Sequence, residues 1–349
     1  MNNLLNKDEE FDYSLRPKYL KDFTGQKEIC ELLNIYISSS KKTKRVLDHV
    51  LFYGPSGLGK TTLAYIVKNE LGVHIKTTSG PALRKLGDLA AILSTLEQGD
   101  ILFIDEIHRL SKPIEEMLYQ AMEDFKVDII FGENELSQAV KINIAHFTLI
   151  GATTRIGDLS KPLRDRFGIS FTLNYYNKEE LCKVVERSSR LLGFTIDHNA
   201  VLELVKRSRG TPRVANKLLK RIIDFTIYNN LKTINLDITV ETLNKLNIDD
   251  YGLDYLDRLY LNCLIKNYNG GPVGLSSIAA SLSIDKLTIE DVCEPYLLSI
   301  GFIKRTKRGR MVTDIAYEHL CIKKEKNNEG RRFWLLFTWG AYCSNTIKG

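Results

Sequence analysis

The chain has 349 residues, of which 44% are hydrophobic and 26% are charged, an ordinary composition for a globular protein. The length predicts about one to three domains, and the composition excludes collagen-like, low-complexity and mainly disordered chains. Basic residues number 49 against 43 acidic residues, a net charge of +6. This mild excess permits a nucleic-acid partner, so the placement of the basic residues has to decide the question.

The sequence predicts neither a membrane protein nor a disulfide framework. No apolar run reaches the roughly 18–20 residues that a membrane-spanning helix needs, and residues 1–12 are too polar for a signal peptide. The six cysteines, none in Cys-x-x-Cys spacing, are Cys30, Cys182, Cys263, Cys293, Cys321 and Cys343. Scattered cysteines indicate free thiols in a reducing compartment. We therefore expect a cytoplasmic protein with no membrane partner.

The first two hundred residues alternate short apolar runs with amphipathic helical stretches, which is typical of an α/β fold with a parallel sheet. Each run is mostly apolar, as a strand buried on both faces should be. The predicted strands are Val50–Tyr53, Val73–Thr77, Ile101–Ile104, Phe147–Ala152 and Ile169–Leu173. Residues 126–145 interrupt this order with two further runs around the polar Gly132–Glu135, which predicts an inserted β-hairpin.

From residue 178 to residue 247 the pattern predicts helices only. Asn177 is a plausible N-cap for the first of them, and Thr211 caps a later helix that has Pro212 at its first position. Residues 250–320 read as three helices and a short hairpin, Phe302–Val312. The polar and atypical residues 321–349 are predicted to be a tail outside the last domain.

The segment Gly54–Thr61 fits the phosphate-binding loop pattern GxxxxGK[ST]. It follows a predicted strand and precedes a helix predicted over Thr61–Leu71, the context that supports such a match. Glycines let backbone N–H groups converge on phosphate oxygens at a helix N-terminus. Lys60 is then placed to reach the β- and γ-phosphates, and the Thr61 hydroxyl to bind Mg²⁺. A glycine-rich turn without a ligand is the bland alternative.

Asp105 and Glu106 follow the buried strand Ile101–Ile104 and should lie at the carboxyl edge of the sheet, where ligands bind in open α/β sheets. Asp105 is then placed to hold Mg²⁺ through water, and Glu106 to polarise the attacking water. We expect His108 to be structural. Thr154, at the end of the next strand, carries a hydroxyl that could touch the γ-phosphate.

Three arginines are candidates for contact with phosphate, each with a bland alternative. Arg164 and Arg166 lie in a short predicted loop, and either an arginine finger or a pair of surface salt bridges fits that segment. Arg213 follows Pro212 at a predicted helix start, from which it reaches back over the nucleotide or remains a solvated charge.

The hairpin near the end of the last domain is strongly basic. Within seven residues and without an intervening acid it carries Lys304, Arg305, Lys307, Arg308 and Arg310. Three helices followed by a basic hairpin describe a winged-helix domain, whose wing binds phosphate backbones without reading sequence. A solvated edge hairpin protected by charge is the alternative.

Several stretches together resemble the RuvB family, bacterial motors that drive branch migration of Holliday junctions. They are GPSGLGKTT, ILFIDEIHRL, GATTRIGDLSKPLRDRFG, RGTPRVANKLL and GGPVGL, and the resemblance runs from about residue 14 to residue 320. It implies an AAA+ ATPase domain over residues 1–177, a helical lid over 178–249 and a winged-helix head over 250–320. It also implies hexameric rings, with ATP and Mg²⁺ as cofactors, acting in DNA recombination and repair. The implied partners are RuvA, the RuvC-type resolvase and the double-stranded arms of a four-way junction.

The resemblance also assigns roles to residues of this sequence. The residues that it implies to be catalytic are Lys60, Asp105, Glu106, Thr154 (sensor 1) and Arg166 (an arginine finger acting in trans). ATP contacts fall to Leu15, Arg16, Gly54, Gly57, Gly59, Lys60, Thr61, Thr62, Glu123, Asp124, Phe125, Arg164, Tyr176 and the sensor 2 residue Arg213. The implied ligands of Mg²⁺ are Thr61 and Asp105. DNA contacts fall to Arg305, Arg308 and Arg310, and RuvA contacts to Val140 and Ile142 on the inserted hairpin.

Two features depart from the family. Ser56 replaces a proline usual in the phosphate loop, for which we expect a minor effect because the backbone does the work. The tail, residues 321–349, resembles nothing in the family, and we expect it to be disordered, although Trp334, Phe337 and Trp339 could dock on a partner.

Two other functions stay open at this point. The first is an AAA+ clamp-loader or initiator-like switch that acts on DNA without translocation, which the basic winged head disfavours. The second is a winged-helix regulator with a degraded nucleotide site, which the intact Lys60, Asp105, Glu106 and Arg166 disfavour.

Overall fold

The structure is a computed structural model that describes residues 14–131 and 138–323. The chain divides into two compact units, one ending at Arg258 and the other beginning at Leu259. The predicted tail lies almost entirely outside the described residues, and so do its Trp334, Phe337 and Trp339.

A five-stranded parallel sheet forms the centre of the first unit, in the strand order β2-β3-β6-β1-β7. Its strands are β1 (Val50–Tyr53), β2 (Ile75–Ser79), β3 (Ile101–Asp105), β6 (Thr148–Thr153) and β7 (Ile169–Thr172). The sequence predicted all five, each within two residues of its bounds, and the α/β fold class is confirmed. The apolar runs of β1, β3 and β6 are recognisable because both faces of these strands are covered.

Alternate residues of β1, β3 and β6 enter two different cores, as the two-residue period of a strand requires. Phe52 and Phe103 pack on one side of the sheet, in a core that continues into the helices after residue 178. Leu51 and Leu102 pack on the other side. The sheet is therefore held between two apolar layers, with its carboxyl edge left for polar groups.

Among the described residues before 250, nine α-helices, numbered in chain order, surround the sheet and build the lid. They are α1 (Lys27–Thr43), α2 (Lys60–Leu71), α3 (Leu86–Leu93), α4 (Lys112–Asp124), α5 (Lys161–Asp165), α6 (Lys178–Leu191), α7 (His198–Lys206), α8 (Pro212–Tyr228) and α9 (Leu236–Lys245). Short 3₁₀ turns occur at Leu20–Asp22, Gly80–Ala82, Ile107–Arg109 and Ile156–Asp158.

The hairpin predicted over residues 126–145, between two strands of the main sheet, is confirmed. Its strands β4 (Lys126–Phe131) and β5 (Gln138–Asn143) pair antiparallel, with Val127 opposite Ile142 and Ile129 opposite Val140. Val127 is buried beside the sheet, so the base of the hairpin is anchored to the domain.

The segment after residue 178 differs from the prediction in two details. The two-residue strands β8 (Thr195–Ile196) and β9 (Thr233–Ile234) pair in parallel, so the segment is not helices only. Thr211 holds the N-cap position of α8, but its hydroxyl donates to the Arg209 carbonyl instead of capping the helix. Asn177 does cap α6, in a reciprocal pair with Glu180.

The predicted winged-helix domain is confirmed in the second part of the chain. Its helical elements are α10 (Tyr255–Tyr268), α11 (Leu275–Leu282), α12 (Lys286–Thr288), a π-helical turn (Ile289–Cys293), α13 (Glu294–Ser299) and α14 (Asp314–His319). The wing consists of β10 (Ile303–Thr306) and β11 (Gly309–Val312), which pair antiparallel, and Val273 bridges to Arg310 beside them. Tyr260 and Phe302 are fully buried in this unit.

None of the helices in residues 14–131 and 138–323 is both long enough and apolar enough to cross a bilayer.

Candidate nucleotide site and basic wing

The phosphate loop connects β1 to α2, and its glycines are required by close packing. Gly57 has a φ of +80°, and a Cβ there would collide with the side chains of Thr211 and Arg213. The backbone N–H of Arg213 also faces the Gly57 carbonyl oxygen at 3.4 Å. The first turn of α8 in the lid therefore rests directly on the loop, which only glycine permits.

Lys60 begins α2 and is almost fully buried. Its Nζ donates to the carbonyl oxygens of Gly54 and Pro55, both at 2.8 Å. Burial lowers the pKa of Lys60 to about 8, with Asp105 opposing the decrease and Arg213 adding to it. The ammonium is thus held over the loop, among neutral carbonyls that phosphate oxygens can replace as partners.

Asp105 ends β3 at the carboxyl edge of the sheet, as predicted, beside the first turn of α2. Its Oδ2 accepts from the Thr61 hydroxyl at 3.3 Å, and its Oδ1 accepts from the Glu106 N–H at 2.9 Å. A hydroxyl and a carboxylate in contact suit Mg²⁺, which takes few protein ligands and keeps waters and phosphate oxygens as the others. The donor set therefore fits the predicted metal.

Glu106 adopts the left-handed backbone conformation, with a φ of +47°. Its carboxylate is half-exposed and pairs with Arg109 at 3.0 Å. A strained backbone at a polar residue of a cleft is a frequent mark of function.

The end of β6 places two threonines differently. Thr153 is fully buried, and its hydroxyl contacts His108 Nδ1 at 3.0 Å. Thr154 is exposed and lines the same cleft as Lys60 and Asp105. His108 therefore orients the end of the strand, and Thr154 is the threonine that faces the cleft.

The cleft continues past the loop toward the N-terminal segment and the lid. Its volume is about 340 Å³, within the usual range for ligand sites. The predicted residues that line it are Leu15, Arg16, Gly57, Gly59, Lys60, Thr61, Thr62, Asp105, Glu106, Thr154, Tyr176 and Arg213, together with Ser56. One cleft thus gathers residues that are up to about two hundred positions apart in the chain.

Tyr176 forms a wall of this cleft and is fixed at both ends. Its hydroxyl donates to the Leu58 carbonyl at 3.2 Å, and its N–H donates to the Gly210 carbonyl at 2.9 Å. Burial raises the pKa of Tyr176 well above its ordinary value, so the ring is neutral.

Sequence reasoning missed several lid residues of the cleft, including Val184, Arg187 and Asn216. Arg187 donates to the Leu15 carbonyl at 2.8 Å and so fastens the N-terminal segment. Asn216 lies one turn after Arg213 on α8, and its Oδ1 is buried without a hydrogen-bond partner among the described residues. The spacing of Arg213 and Asn216 on one helix face was the available signal.

Six predicted ATP-site residues do not line this cleft: Gly54, Glu123, Asp124, Phe125, Arg164 and Arg166. Gly54 contributes its carbonyl oxygen to Lys60. The other five lie around the C-terminus of α4 and around α5, where Arg166 pairs with Glu123 at 2.5 Å. The predicted loop around the two arginines is wrong in part, because Arg164 lies in the last turn of α5 and Arg166 follows it.

The wing separates its basic residues onto two faces. Arg305 and Arg310 are directly opposite each other and lie on the same face of the hairpin as the buried pair Ile303 and Val312, although the Arg305 side chain stays 48% exposed and the Arg310 side chain 16% exposed. Outside this face are the exposed Lys304, Lys307 and Arg308. In the described part of the chain these three side chains make no ion pair.

Glu294 on α13 is fully buried and accepts hydrogen bonds from both Arg305 and Arg310. Arg305 donates to it from Nε at 2.8 Å and also from Nη2, and Arg310 donates from Nε at 2.9 Å. Tyr260 donates to the same carboxylate at 3.0 Å, and Glu290 accepts from Arg310 at 3.1 Å. Two acids thus offset two arginines that would otherwise repel across the strands.

Of the predicted RuvA contacts, the structure describes the backbone of Val140 and the half-buried Ile142. Their register places both on the hairpin face that begins with the buried Val127.

Family comparisons cover nearly all of the described chain. The model of the Holliday junction DNA helicase RuvB P-loop domain matches residues 15–173. The RuvB AAA lid domain matches residues 176–249, and the RuvB C-terminal winged helix domain matches residues 250–321.

Curated relatives and solved structures agree with these matches. The Holliday junction branch migration complex subunit RuvB of Lactobacillus johnsonii is 55% identical over 313 residues, covering 90% of this chain and 92% of the relative. The corresponding Staphylococcus aureus protein is 52% identical over 322 residues, covering 92% of this chain and 95% of its own. The structure of the Thermotoga maritima RuvB Holliday junction branch migration motor has a TM-score of 0.82 at 49% identity, covering 89% of this chain and 99% of that one.

Proposed function

The chain belongs to the RuvB family of ATP-driven Holliday junction branch migration motors, and we propose that it works as a hexameric ring whose ATP sites are shared between neighbouring subunits. The single observation that carries the mechanism is the cleft that joins Lys60, Asp105 and Arg213. In it the phosphate loop, the carboxyl edge of the sheet and the first turn of the lid converge.

Hydrolysis of ATP in this cleft is a phosphoryl transfer to water, which depends on positioning and charge stabilisation. Lys60 exchanges its two loop carbonyls for β- and γ-phosphate oxygens. Glu106 accepts a proton from the attacking water while that water's oxygen bonds to the γ-phosphorus. The bond between that phosphorus and the bridging oxygen breaks, leaving ADP and inorganic phosphate, and Thr154 faces the group being transferred.

Mg²⁺ would be held by the Thr61 hydroxyl and the Asp105 carboxylate, whose oxygens lie 3.3 Å apart. When bound, the ion offsets negative charge on the β- and γ-phosphates. Asp105 is itself fixed by the Glu106 N–H, so the acid that orients the metal is tied to the acid that orients the water.

The base of the nucleotide lies toward Leu15, Arg16 and Tyr176. Asn216 supports adenine in particular, because its buried Oδ1 has no partner within the described residues and adenine offers an amino donor. A buried acceptor without a partner costs stability, so the bound base satisfies a group that the empty cleft leaves unsatisfied.

Arg166 acts in trans as an arginine finger. The supporting observation is that Arg164, Arg166 and Glu123–Phe125 group together away from the chain's own ATP cleft. A finger paired with Glu123 can exchange that carboxylate for a neighbour's γ-phosphate, and in comparable systems such a finger contributes about 10³–10⁵ in rate.

The winged head holds double-stranded arms of the junction through phosphate contacts. Arg308 and its neighbouring lysines form the exposed part of the wing. Of the other two predicted DNA contacts, Arg305 is exposed enough to reach a phosphate beside its pairing with Glu294, whereas Arg310 supports the wing from beneath through the same carboxylate. RuvA docks on the inserted hairpin at Val140 and Ile142, because an apolar face near a hairpin tip suits a protein partner. The RuvC-type resolvase acts on the same junctions.

We propose the division into an ATPase domain (1–177), a lid (178–249) and a head (250–320), with the motor serving recombination and repair in the cytoplasm. The three family matches, with boundaries near 175 and 250, support the division. The described cysteines, all free thiols, support a reducing compartment.

The test is ATP-dependent dissociation of a synthetic four-way junction, with and without a RuvA-type partner. Wild-type protein should dissociate the junction with the partner present, and Lys60→Ala should abolish both dissociation and ATP hydrolysis. Lys68→Ala, on the same helix but outside the cleft, is the matched control and should behave as wild type. ATP hydrolysis without junction processing under any condition would favour a switch or loader instead.

A further inference from the structure

Residues 207–213 precede and open the lid helix α8, and they touch the nucleotide cleft at one end only. Gly210 accepts from the Tyr176 N–H at 2.9 Å, and Arg213 faces the Gly57 carbonyl. Both Tyr176 and Gly57 line the cleft. The position of this short segment therefore depends on which nucleotide is bound between the phosphate loop and Tyr176.

The other end of the segment carries Arg209, which reaches the start of α10. Its Nη2 lies 2.6 Å from Asp257 Oδ2 and 3.1 Å from Asp254 Oδ2, and its Nε donates to the Gly252 carbonyl at 2.7 Å. Asp257 is 1% exposed. Asp254 in turn accepts from the N–H groups of Leu256 and Asp257 and so caps α10.

Arg207 makes a second set of contacts with the same stretch. It donates to the Ile248 carbonyl at 2.7 Å and pairs with Asp250 at 3.1 Å. Gly252, with a φ of +74°, has no room for a Cβ because the Arg207 carbonyl lies against it. Residues 248–257 are thus tied to residues 207–209 by the buried Arg207 and the partly buried Arg209.

The backbone is in the left-handed region at two consecutive residues of this segment. Arg209 is a non-glycine residue with a φ of +55°, followed by Gly210 at +64°. Such a conformation costs about 1–3 kcal/mol and persists where surrounding contacts over-determine it. The contacts here are Asp254, just before α10, and Asp257 in its first turn, and α10 runs from Tyr255 to Tyr268.

We propose that Arg209 and Asp257 are positioning residues that couple the nucleotide state of the cleft to α10, the first helix of the winged head. The segment formed by residues 207–213 and 248–258 is called the coupling joint here. The inference rests on the proposed motor function, since it says how a change at Arg213 on hydrolysis reaches the DNA-binding head. The carboxylate of Asp257 depends on Arg209 for its charge, because burial raises its pKa to about 7 even with that arginine beside it.

The experiment compares ATP hydrolysis and branch migration in the same reaction, with the full chain, a RuvA-type partner and a synthetic four-way junction. In Asp257→Asn, ATP hydrolysis should stay within about twofold of wild type, because Asp257 does not line the cleft. Base pairs migrated per ATP hydrolysed should fall about tenfold, a typical size for a lost coupling. Arg209→Lys keeps the charge without the forked geometry and should lower the same ratio about threefold.

Asp224→Asn is the matched control, since Arg221 and Asp224 form an exposed pair on the same helix α8. Its ratio should equal that of wild type. A merely structural role for the joint would lower hydrolysis and migration together and leave the ratio unchanged, and that result overturns the proposal. If Asp257→Asn does not fold, Arg209→Lys decides by the same ratio. If the wild-type chain hydrolyses ATP but does not migrate the junction, the proposed function fails instead.

Discussion

Lys60 carries a charge that the fold makes costly to keep. The side chain is almost fully buried, and burial lowers its pKa to about 8, against about 10.4 for a free lysine. Bound phosphates supply negative charge at the same place and should raise the pKa again. The residue is thus a proton-binding group whose affinity for protons changes when ATP binds.

This linkage predicts proton uptake on ATP binding in alkaline solution. With a pKa near 8, Lys60 is mostly neutral at pH 8.5, and MgATP should then take up about 0.7 proton on binding, against close to none at pH 7. The affinity for ATP should fall accordingly as the pH rises above about 8. Calorimetry in two buffers of different ionisation enthalpy measures this number, and equal uptake at both pH values would contradict the account.

Asn216 makes a second prediction at the level of one side chain. Replacing the unpartnered Oδ1 in Asn216→Leu should weaken ATP binding about tenfold, since the adenine amino group loses its acceptor. Discrimination against GTP, whose base presents a carbonyl at that position, should fall by a similar factor. The conservative Asn216→Asp keeps the acceptor and should retain the preference. Unchanged GTP-to-ATP affinity ratios in Asn216→Leu would show that the residue does not contact the base.

At the scale of elements, the wing shows that the five basic residues among the seven residues 304–310 need not share one role. The two-residue period of a strand already separates Arg305 and Arg310 from Lys304, because Ile303 and Val312 mark the buried face. The two-residue period does not reveal that the carboxylate of Glu294 lies beneath Arg305 and Arg310. Glu294 lies 11 and 16 positions earlier in the chain, and only the packing of α13 brings it there.

Salt dependence separates the outward arginine from the inward one. Arg308→Ala should reduce the slope of log affinity for duplex DNA against log salt by about 0.9, the amount expected for one phosphate contact. Fluorescence anisotropy at several salt concentrations measures it. An unchanged slope would show that this exposed side chain does not touch phosphate.

Arg310→Ala should instead destabilise the head. It removes the arginine that is 16% exposed and leaves the fully buried Glu294 with fewer partners, a kind of loss that costs about 3–5 kcal/mol. Denaturant unfolding measures this difference, and Lys307→Ala, on the exposed face, is the control expected to change stability by less than about 0.5 kcal/mol. Equal stability of Arg310→Ala and wild type would contradict the buried network.

For the whole molecule, the sheet and the phosphate site were predictable because their determinants are local. The strand–loop–helix order fixes Lys60 and Thr61 in one stretch, and a fully apolar strand ending in Asp105 marks the sheet edge. Arg187 and the coupling joint were not predictable, because their roles arise only when the lid folds back on the loop, and Asn216 was indicated only by its spacing from Arg213. The strands β8 and β9 were missed since two residues are too short to show a period.

Arg166 does not line the ATP cleft of its own chain, so the finger and the cleft of one subunit cannot form a complete site. A ring closes such head-to-tail contacts, so each site takes its pocket from one subunit and its finger from the next. Arg166→Ala should therefore bind ATP without hydrolysing it. Added to wild-type protein, it should also inhibit the mixed rings, while Arg190→Ala, on the surface of α6, should not.

The most direct measurement is complementation between two inactive variants mixed before the ring assembles. Lys60→Ala has a defective pocket and an intact finger, whereas Arg166→Ala has the reverse. If the sites are shared, random mixing at equal amounts places both intact halves together at about a quarter of the interfaces, and ATP hydrolysis should return to about that fraction of wild type. Hydrolysis no higher than in either variant alone, in rings shown to contain both, would contradict a site built between neighbouring subunits.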